Sequence, residues 1–220
     1  NLSSISFLAE ICIQIAYDHS ILVESEKFGV PTNKKGNRSD LLIIAMGKLG
    51  GYELNPSSDV DLIFVHDENG ATVPINSSGV VIENSQFFSK VIKRIFNVLS
   101  LTTSDGYVFR VDLRLRPHGN FGPDSMSIDA LRTYFFTNAQ DWERFAWIKS
   151  RIINSYFPKK KNEFEKITEK LNTLKNQFIY KPFLDFESVS SLRRLNEKIK
   201  IPHNSSDEKK TPSYFFNVKL

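Results

Sequence analysis

Two apolar segments near the centre of the chain predict a pair of neighbouring strands. Leu41–Met46 form a continuous apolar run, and a second run leads from Val60 to His66. Short apolar runs bounded by turn residues are typical of buried strands. The polar loop between them opens with three glycines, Gly47, Gly50 and Gly51. The pattern therefore predicts a strand, a tight glycine turn, a loop and a second strand.

Helical periodicity predicts helices around this pair. They cover residues 5–23, 84–99, a segment beginning at Ser127, 141–153, 159–179 and 187–199. The buried face expected for the first helix consists of Phe7, Leu8, Ile11, Ile15, Ile21 and Leu22. In the second helix Asn84 is the candidate cap. Its expected apolar face consists of Phe87, Phe88, Val91, Ile92, Ile95, Phe96 and Leu99. Turn-forming residues predict a loop at 24–40.

Residues 107–115 predict a third strand, because apolar and polar residues alternate there. One face carries Tyr107, Phe109, Val111, Leu113 and Leu115. Successive side chains of a strand point to opposite faces, so this set is expected to face the core. The opposite face presents Asp112 among Arg110, Arg114 and Arg116.

These elements together predict an α+β protein in three parts. Residues 1–40 form an amino-terminal helix and loop, and residues 41–126 form a core that contains the sheet. Residues 127–220 form a helical region, in which the polar composition of 202–213 favours disorder.

Composition indicates an ordinary soluble globular protein. The 220 residues are 40% hydrophobic and 25% charged, and no continuous apolar run approaches the length of a membrane span. Cys12 is the only cysteine, which excludes an internal disulfide and favours the cytoplasm; it is expected to be a small buried residue. Residues 1–110 hold 9 Lys and Arg against 12 Asp and Glu, and the second half is basic. The chain starts without methionine and is interpreted as part of a longer polypeptide.

Asp59 and Asp61 are the first candidates for chemistry. Being two residues apart on a strand, they project from the same face. Two neighbouring carboxylates repel each other unless a cation lies between them, and Mg²⁺ is the cation that prefers such ligands together with phosphate oxygens. A solvated turn is the competing interpretation. The glycine turn favours the metal site, because backbone amides without side chains allow a phosphate group to approach closely.

Asp112 is the third candidate, and its pattern leaves two interpretations open. Between Arg110 and Arg114 its charge is compensated, which is typical of a structural salt bridge. The same arrangement leaves surplus positive charge for phosphate oxygens. Three acids on two strands and a glycine turn together suggest nucleotidyl transfer, in which carboxylates on a rigid sheet hold Mg²⁺.

Other phosphate and metal motifs do not fit. The glycines lack the spacing of a P-loop or of G-x-G-x-x-G. The four histidines, His19, His66, His118 and His203, show no zinc spacing with Cys12 and are expected to be structural or exposed. The basic half lacks aromatic residues interleaved with Lys and Arg, so a nucleic-acid partner is not expected.

Several longer motifs resemble one enzyme family. They are AMGKLGGYELN at 45–55, SSDVDLIF at 57–64, FRVDLRLRPHGNFGP at 109–123, DWERFAWIKSRII at 141–153 and PFLDFESVSSLRRLNEKI at 182–199. This order is similar to the bifunctional glutamine synthetase adenylyltransferase/adenylyl-removing enzymes. The form of RPHGNFGP and DWERFAWIK resembles their amino-terminal, adenylyl-removing half. Pro56 and the pair Asp124 and Ser125 depart from the family pattern, and an expected glycine-rich acidic motif would follow Leu220.

The resemblance implies a nucleotidyltransferase fold for residues 41–126, a small mixed sheet with flanking helices like that of DNA polymerase β. It implies that Asp59, Asp61 and Asp112 are catalytic and bind Mg²⁺. The nucleotide and phosphate ligands it implies are Gly47, Lys48, Gly50, Gly51, Ser58, Arg114 and Arg116.

The function implied is phosphorolysis of adenylyl-tyrosine on glutamine synthetase, which releases ADP and regulates nitrogen assimilation. The implied partners are glutamine synthetase, the nitrogen-signalling PII protein, ADP or ATP, and phosphate, without nucleic acid or membrane. Two alternatives remain open: adenylyl transfer from ATP, and a catalytically silent regulatory or binding domain.

Overall fold

Helices and strands alternate irregularly along the chain, in a computed structural model that describes residues 1–75, 79–154, 161–180 and 190. The helices are α1 Leu2–Phe28, α2 Gly47–Gly50, α3 Asn84–Ser100, α4 Ile128–Thr137, α5 Asp141–Ile148 and α6 Lys161–Ile179. The strands are β1 Val30–Asn33, β2 Leu41–Ala45, β3 Val60–His66, β4 Gly70–Val73, β5 Val111–Asp112, β6 Met126–Ser127 and β7 Arg151–Ile152. The predicted α+β class is confirmed.

The main sheet is mixed and is built around β3. Strands β5, β3, β2 and β7 follow in that order, and β6 also pairs with β3. β2 runs antiparallel to β3 and to β7, whereas β5 and β6 run parallel to β3. A separate two-stranded sheet joins β1 to β4. The predicted central pair of strands is therefore correct and lies in the middle of the sheet.

The apolar residues of β2 and β3 are divided between two hydrophobic cores. Leu41, Ile43, Leu62 and Phe64 pack with α1 and α3. Leu42, Ile44, Ile63 and Val65 pack with α4, α5 and α6. Because a strand sends alternate side chains to opposite faces, this division shows that helices cover both faces of the sheet. A strand covered on both faces is apolar along most of its length, as β2 is throughout and β3 is from Leu62 to Val65.

α1 buries a different face from the one predicted. Five of the six residues expected to be buried are exposed, namely Phe7, Leu8, Ile11, Ile15 and Leu22, and only Ile21 is buried. The buried face carries Ile13 and Tyr17 together with Glu10 and Glu24. Apolar residues lie on every side of this helix, so their periodicity does not identify the face that packs against the protein. We infer that the buried acids, which need partners for their charges, determine that face. Glu24 receives two hydrogen bonds from Arg94 of α3.

By length and composition α1 is also long and apolar enough to cross a membrane, although its apolar residues do not form one continuous run. Half of its most apolar 18-residue window is buried inside the protein. Its packing against α3, with buried acids, is that of a core helix.

Residues 24–40 contain more structure than the predicted loop. α1 continues to Phe28, and β1 pairs with β4 of the predicted turn-rich segment after His66. Gly29, at φ 84°, makes the sharp turn between α1 and β1. Asn84 is not a cap: Glu83 precedes α3, and the buried Asn84 amide donates to the Thr32 and Glu68 carbonyls.

Several further predictions are wrong in extent. The strand at 107–115 is reduced to β5, because Asp112 accepts the Arg114 amide and Arg116 N donates to Leu113 O, which turns the chain. Tyr107 is exposed in consequence. The helix at 141–153 ends at Ile148 and gives way to β7. Phe96 is exposed, and Cys12 is partly buried.

Two predicted elements, the helix at 187–199 and the polar segment at 202–213, lie outside the described residues apart from Ser190. Within the described part, α4 begins after Ser127, whose side chain caps it as predicted, and α6 confirms the helix expected at 159–179. His66 is buried, and its two ring nitrogens form hydrogen bonds with Ser125 and Asn69. It is therefore structural, as predicted.

Candidate active site

The three predicted acids lie on the same face of the main sheet. β3 and β5 are parallel neighbours, and Asp61 stands opposite Asp112 in their register. Residues opposite each other on paired strands point to the same face. Asp59 lies two residues before Asp61 and shares that face. Two separate strands thus bring the acids together at the end where β3 begins.

Asp61 is the most buried of the three, with 4% of its surface exposed. Burial raises the pKa of the Asp61 carboxyl to about 7, and the negative charges of Asp112 and Asp59 add to this effect. Arg114 and Lys48 oppose it through their positive charges. The site therefore contains a carboxyl group that would lose its proton readily to a bound cation.

Arginines compensate the other two acids unequally. The Arg114 guanidinium donates to both oxygens of Asp112 through Nε, at 3.0 and 2.8 Å. Arg110 Nε lies 2.7 Å from Asp59 Oδ1 but off the direction of a hydrogen bond. Asp59 Oδ1 is accordingly buried without a hydrogen bond from any residue the structure describes. The sequence prediction did not include Arg110 among the site residues. The signal for it was its position two residues before Asp112, on the same face of the predicted strand.

The donor chemistry of Asp59 and Asp61 fits a hard divalent cation, which prefers carboxylate oxygens. Asp59 Oδ1 is buried and accepts no hydrogen bond from the described residues, so a cation could take the place of its ion pair with Arg110. Asp112 differs, because Arg114 holds both of its oxygens. In the described ranges, no group of three or more His, Cys, Asp or Glu side chains is arranged to hold a metal ion. Because Arg114 occupies Asp112, Asp61 on β3 and Asp59 just before β3 are the better candidates for ligands.

The predicted glycine turn is the short helix α2, which lies between β2 and β3. Gly47 begins it at φ 52°, a left-handed conformation that glycine adopts at little cost. Lys48 Nζ donates to Ser58 Oγ at 3.0 Å, which joins the turn to the residue preceding Asp59. The structure therefore places the turn, Lys48 and Ser58 beside Asp59 and Asp61.

Gly50 is expected to be intolerant of a side chain. A Cβ atom there would lie 1.8 Å from the Lys149 carbonyl oxygen and 2.8 Å from that of Ala45, and both are backbone atoms. Gly50→Ala should therefore lower the free energy of unfolding by about 2 kcal/mol or more. Urea denaturation measures this. Gly51→Ala is the matched control, because its Cβ would make ordinary contacts at 3.4 Å or more; equal losses in both variants would contradict the explanation.

Arg151 stabilises the glycine turn through hydrogen bonds to its backbone, a role that the sequence does not reveal. Its guanidinium donates to the carbonyls of Leu49 and Gly50 and to the buried carboxylate of Glu10. Its Cζ atom lies 3.6 Å from the centre of the Tyr52 ring. These contacts join residues more than 90 positions apart, so no local pattern reveals them.

Arg116 turns away from the acids into its own loop. It pairs with Asp124 at 2.9 Å and donates to the Gly119 carbonyl. Ser89 of α3 donates to the second oxygen of Asp124. Asp124, which departs from the family motif, therefore holds the Arg116 side chain in its loop. Of the two predicted phosphate-binding arginines, Arg114 lies nearer the acids.

A sequence profile of the family described as glutamate-ammonia ligase adenylyltransferase matches residues 2–167, which is more than half of the chain. The chain belongs to this family. The match includes all the site residues described above, from Gly47 to Arg116.

Individual relatives agree with this assignment. Bifunctional glutamine synthetase adenylyltransferase/adenylyl-removing enzymes are 39% identical in Burkholderia mallei and 40% identical in Shewanella oneidensis, over 88% and 90% of this chain. The enzyme of that name from Vibrio parahaemolyticus is 39% identical over the whole chain. The chain spans about a fifth of the length of these relatives, 20 to 22%.

Proposed function

We propose that this chain is an adenylyl-removing nucleotidyltransferase domain, which phosphorolyses adenylyl-tyrosine on glutamine synthetase. Membership of the family supports glutamine synthetase as the target, since the relatives carry it in their names. The observation that carries the proposal is the convergence of Asp59, Asp61 and Asp112 on one face beside a glycine turn. The resemblance of RPHGNFGP and DWERFAWIK to the adenylyl-removing half supports removal as the direction.

The proposed reaction exchanges one phosphorus–oxygen bond for another. An oxygen of inorganic phosphate attacks the α-phosphorus, and the bond from that phosphorus to the tyrosine oxygen breaks. The proton of the hydrogen phosphate passes to the tyrosine oxygen, so the products are ADP and unmodified tyrosine. Gly47 and Gly51 are the proposed contacts of phosphate oxygens at the turn, whereas Gly50, also expected there, is needed for packing against the Lys149 carbonyl. Lys48 and Arg114 supply positive charge beside the turn.

Mg²⁺ is the proposed cofactor, held by Asp59 and Asp61 with Asp112 beside them. When bound, it would stabilise the negative charge that develops on the attacking and leaving oxygens. The chain's own contribution is orientation: β3 and the residue just before it position Asp61 and Asp59, and Arg114 holds Asp112, which stands opposite Asp61. Arg114 is the proposed contact of the attacking phosphate, whereas Arg116, the other expected phosphate ligand, is held in its loop by Asp124.

The wider setting is part of the same proposal. It includes a nucleotidyltransferase fold at residues 41–126, between an amino-terminal part at 1–40 and a helical region at 127–220. It also includes a cytoplasmic location, binding of ADP or ATP, and control through the PII protein.

Two substrate pairs test the direction of the reaction. The protein is incubated with adenylylated glutamine synthetase, phosphate and Mg²⁺, and separately with unmodified glutamine synthetase, ATP and Mg²⁺. We expect ADP in the first mixture and no AMP incorporation in the second. The reverse result would establish adenylyl transfer, and activity in neither, with nucleotide binding retained, would indicate a silent regulatory domain. Asp105→Asn, which alters an exposed acid outside the site, is the matched control for substitutions of Asp59, Asp61 and Asp112.

A further inference from the structure

Arg110 holds Asp59 through weaker contacts than those with which Arg114 holds Asp112. Its Nε atom lies 2.7 Å from Asp59 Oδ1, but off the direction of a hydrogen bond. Its Nη2 atom donates to the Ser57 carbonyl at 3.3 Å. By contrast, Arg114 Nε donates to both oxygens of Asp112. The attraction between Arg110 and Asp59 therefore lacks the strength of a directed, charge-assisted hydrogen bond.

Exposure separates the same two ion pairs. The side chains of Arg110 and Asp59 are 58% and 32% exposed, whereas those of Arg114 and Asp112 are 34% and 9% exposed. Exposed ion pairs contribute little to stability, because water screens the charges and long side chains lose freedom when they pair. The pair of Arg110 with Asp59 is thus the easier of the two to open.

The backbone of Arg110 is fixed independently of this ion pair. Its carbonyl accepts a hydrogen bond from Val60 N at 2.8 Å, and the next residue, Val111, stands opposite Val60 in the register of β5 and β3. Asp59 directly precedes Val60. The long arginine side chain therefore turns about a fixed point beside Asp59, and its charge stays near the acids when the guanidinium moves.

Asp59 Oδ1 is an atom for which Arg110 and a divalent cation compete. This oxygen is buried, although a third of the Asp59 side chain is exposed, and Arg110 Nε is in contact with it. A cation that binds Oδ1 has to displace the guanidinium, because Mg²⁺ keeps water ligands that need the same space. Two positive charges at one oxygen also repel each other. Occupation of Oδ1 by Arg110 and by the cation is therefore mutually exclusive.

We propose that Arg110 is a displaceable counter-ion, which neutralises Asp59 until a divalent cation takes its place and then binds a phosphate oxygen of the substrate. This inference rests on the proposed function. The planar guanidinium matches the geometry of phosphate, and the fixed backbone keeps it beside the acids. Arg110 is thus a phosphate ligand in addition to those predicted, and it acts only when the cation is bound.

Arg110→Met tests the competition by isothermal titration calorimetry with MgCl₂ alone. We expect Mg²⁺ to bind the variant about fivefold more tightly than the unaltered protein, the equivalent of an exposed ion pair. Arg132→Met, which removes the same charge from an exposed position on α4, is the matched control and should leave the affinity unchanged. Unchanged or weaker binding by Arg110→Met, an equal gain in both variants, or no Mg²⁺ binding by any of the three proteins would overturn the proposal.

Two measurements confirm that the gain comes from displacement in a folded protein. Thermal denaturation shows whether Arg110→Met is folded, and MgCl₂ should raise its melting temperature more than that of the unaltered protein. The Nε–H resonance of Arg110 in ¹⁵N-labelled protein, assigned by its absence from the variant, should shift when MgCl₂ is added to the unaltered protein. A resonance that stays in place at saturation would contradict displacement.

ADP is the probe for the phosphate contact of the released guanidinium. With saturating Mg²⁺, Arg110→Met should bind ADP about tenfold more weakly than the unaltered protein, as expected for loss of a hydrogen bond to a charged group. With EDTA the two proteins should bind ADP equally. Equal affinities in the presence of Mg²⁺ would contradict the phosphate contact, and an equal loss in EDTA would contradict its dependence on the cation.

None of these measurements requires turnover, so they separate this inference from the proposed function. Absence of ADP release from adenylylated glutamine synthetase, with the Mg²⁺ and ADP affinities as expected, would contradict the proposed function and support the exchange at Asp59. ADP release by a protein whose Mg²⁺ affinity is unchanged in Arg110→Met would contradict the counter-ion alone.

Discussion

Asp61→Asn is expected to abolish ADP release and, at the same time, to stabilise the metal-free protein above pH 7. The two effects have one cause, which is the burial of a carboxylate beside two others. Burial and the charges of Asp112 and Asp59 raise the pKa of Asp61 from 3.8 to about 7. A buried carboxylate without full compensation opposes folding, and the same group is the better placed of the proposed metal ligands.

The sign of the pH dependence follows from proton binding. Because the pKa of Asp61 is higher in the folded protein, the folded state binds the proton more tightly than the unfolded state does. The stability of the unaltered protein therefore declines as pH rises from about 4 to about 7, and this contribution then stays constant. The total is on the order of 4 kcal/mol. Asparagine carries no charge and removes the decline.

Urea denaturation at a series of pH values, without divalent cations, measures the effect. The difference between Asp61→Asn and the unaltered protein should be small near pH 4 and reach a few kcal/mol above pH 7. Added Mg²⁺ should stabilise the unaltered protein and not the variant. ADP release should fall about a thousandfold or more, since a bound cation contributes several kcal/mol to the transition state.

The exposed acid Asp105 provides the comparison, because Asp105→Asn should alter neither stability nor activity appreciably. A variant at Asp61 that unfolds more easily than the unaltered protein at pH 8 would contradict the burial argument. Unchanged ADP release would contradict the catalytic assignment.

Much of the sheet could be predicted from sequence because β2 and β3 carry their own signal. Both contain short apolar runs, and the spacing of Asp59 and Asp61 at the start of β3 predicts that they share one face without any knowledge of the fold. The pairing of Asp112 with Arg114 could be predicted from their spacing, but the position of Asp112 opposite Asp61 could not. That position depends on the register between β3 and β5, which are separated by 44 residues and form only two residue pairs.

The errors arise where distant partners decide local structure. The alternation at 107–115 favours a long strand, yet hydrogen bonds from Arg114 and Arg116 turn the chain after Asp112. The apolar residues of α1 surround the helix, so periodicity cannot identify the face that packs. That face is selected by Glu10 and Glu24, whose arginine partners lie on β7 and α3. A pattern of residue types does not contain this information.

Arg151→Met is expected to be the most destabilising single substitution at the site. Glu10 is 1% exposed, and Arg151 donates to it as well as to the carbonyls of Leu49 and Gly50. Removing one partner of a buried ion pair leaves a charge in a poorly solvated position and typically costs about 3–5 kcal/mol. The glycine turn also loses two hydrogen bonds, so ADP release should fall along with stability.

Two further variants separate the buried charge from the lost packing. In the double variant Glu10→Leu with Arg151→Met the buried carboxylate is gone as well, so most of the lost stability should return. Activity should remain low, because the carbonyls of the turn still lack their donor. Lys149→Met breaks an ion pair with Glu53, which is about half exposed, and should cost no more than about 1 kcal/mol. Urea denaturation and ADP release measured on the three proteins check the argument, and a double variant that is no more stable than Arg151→Met would show that Glu10 does not carry the cost.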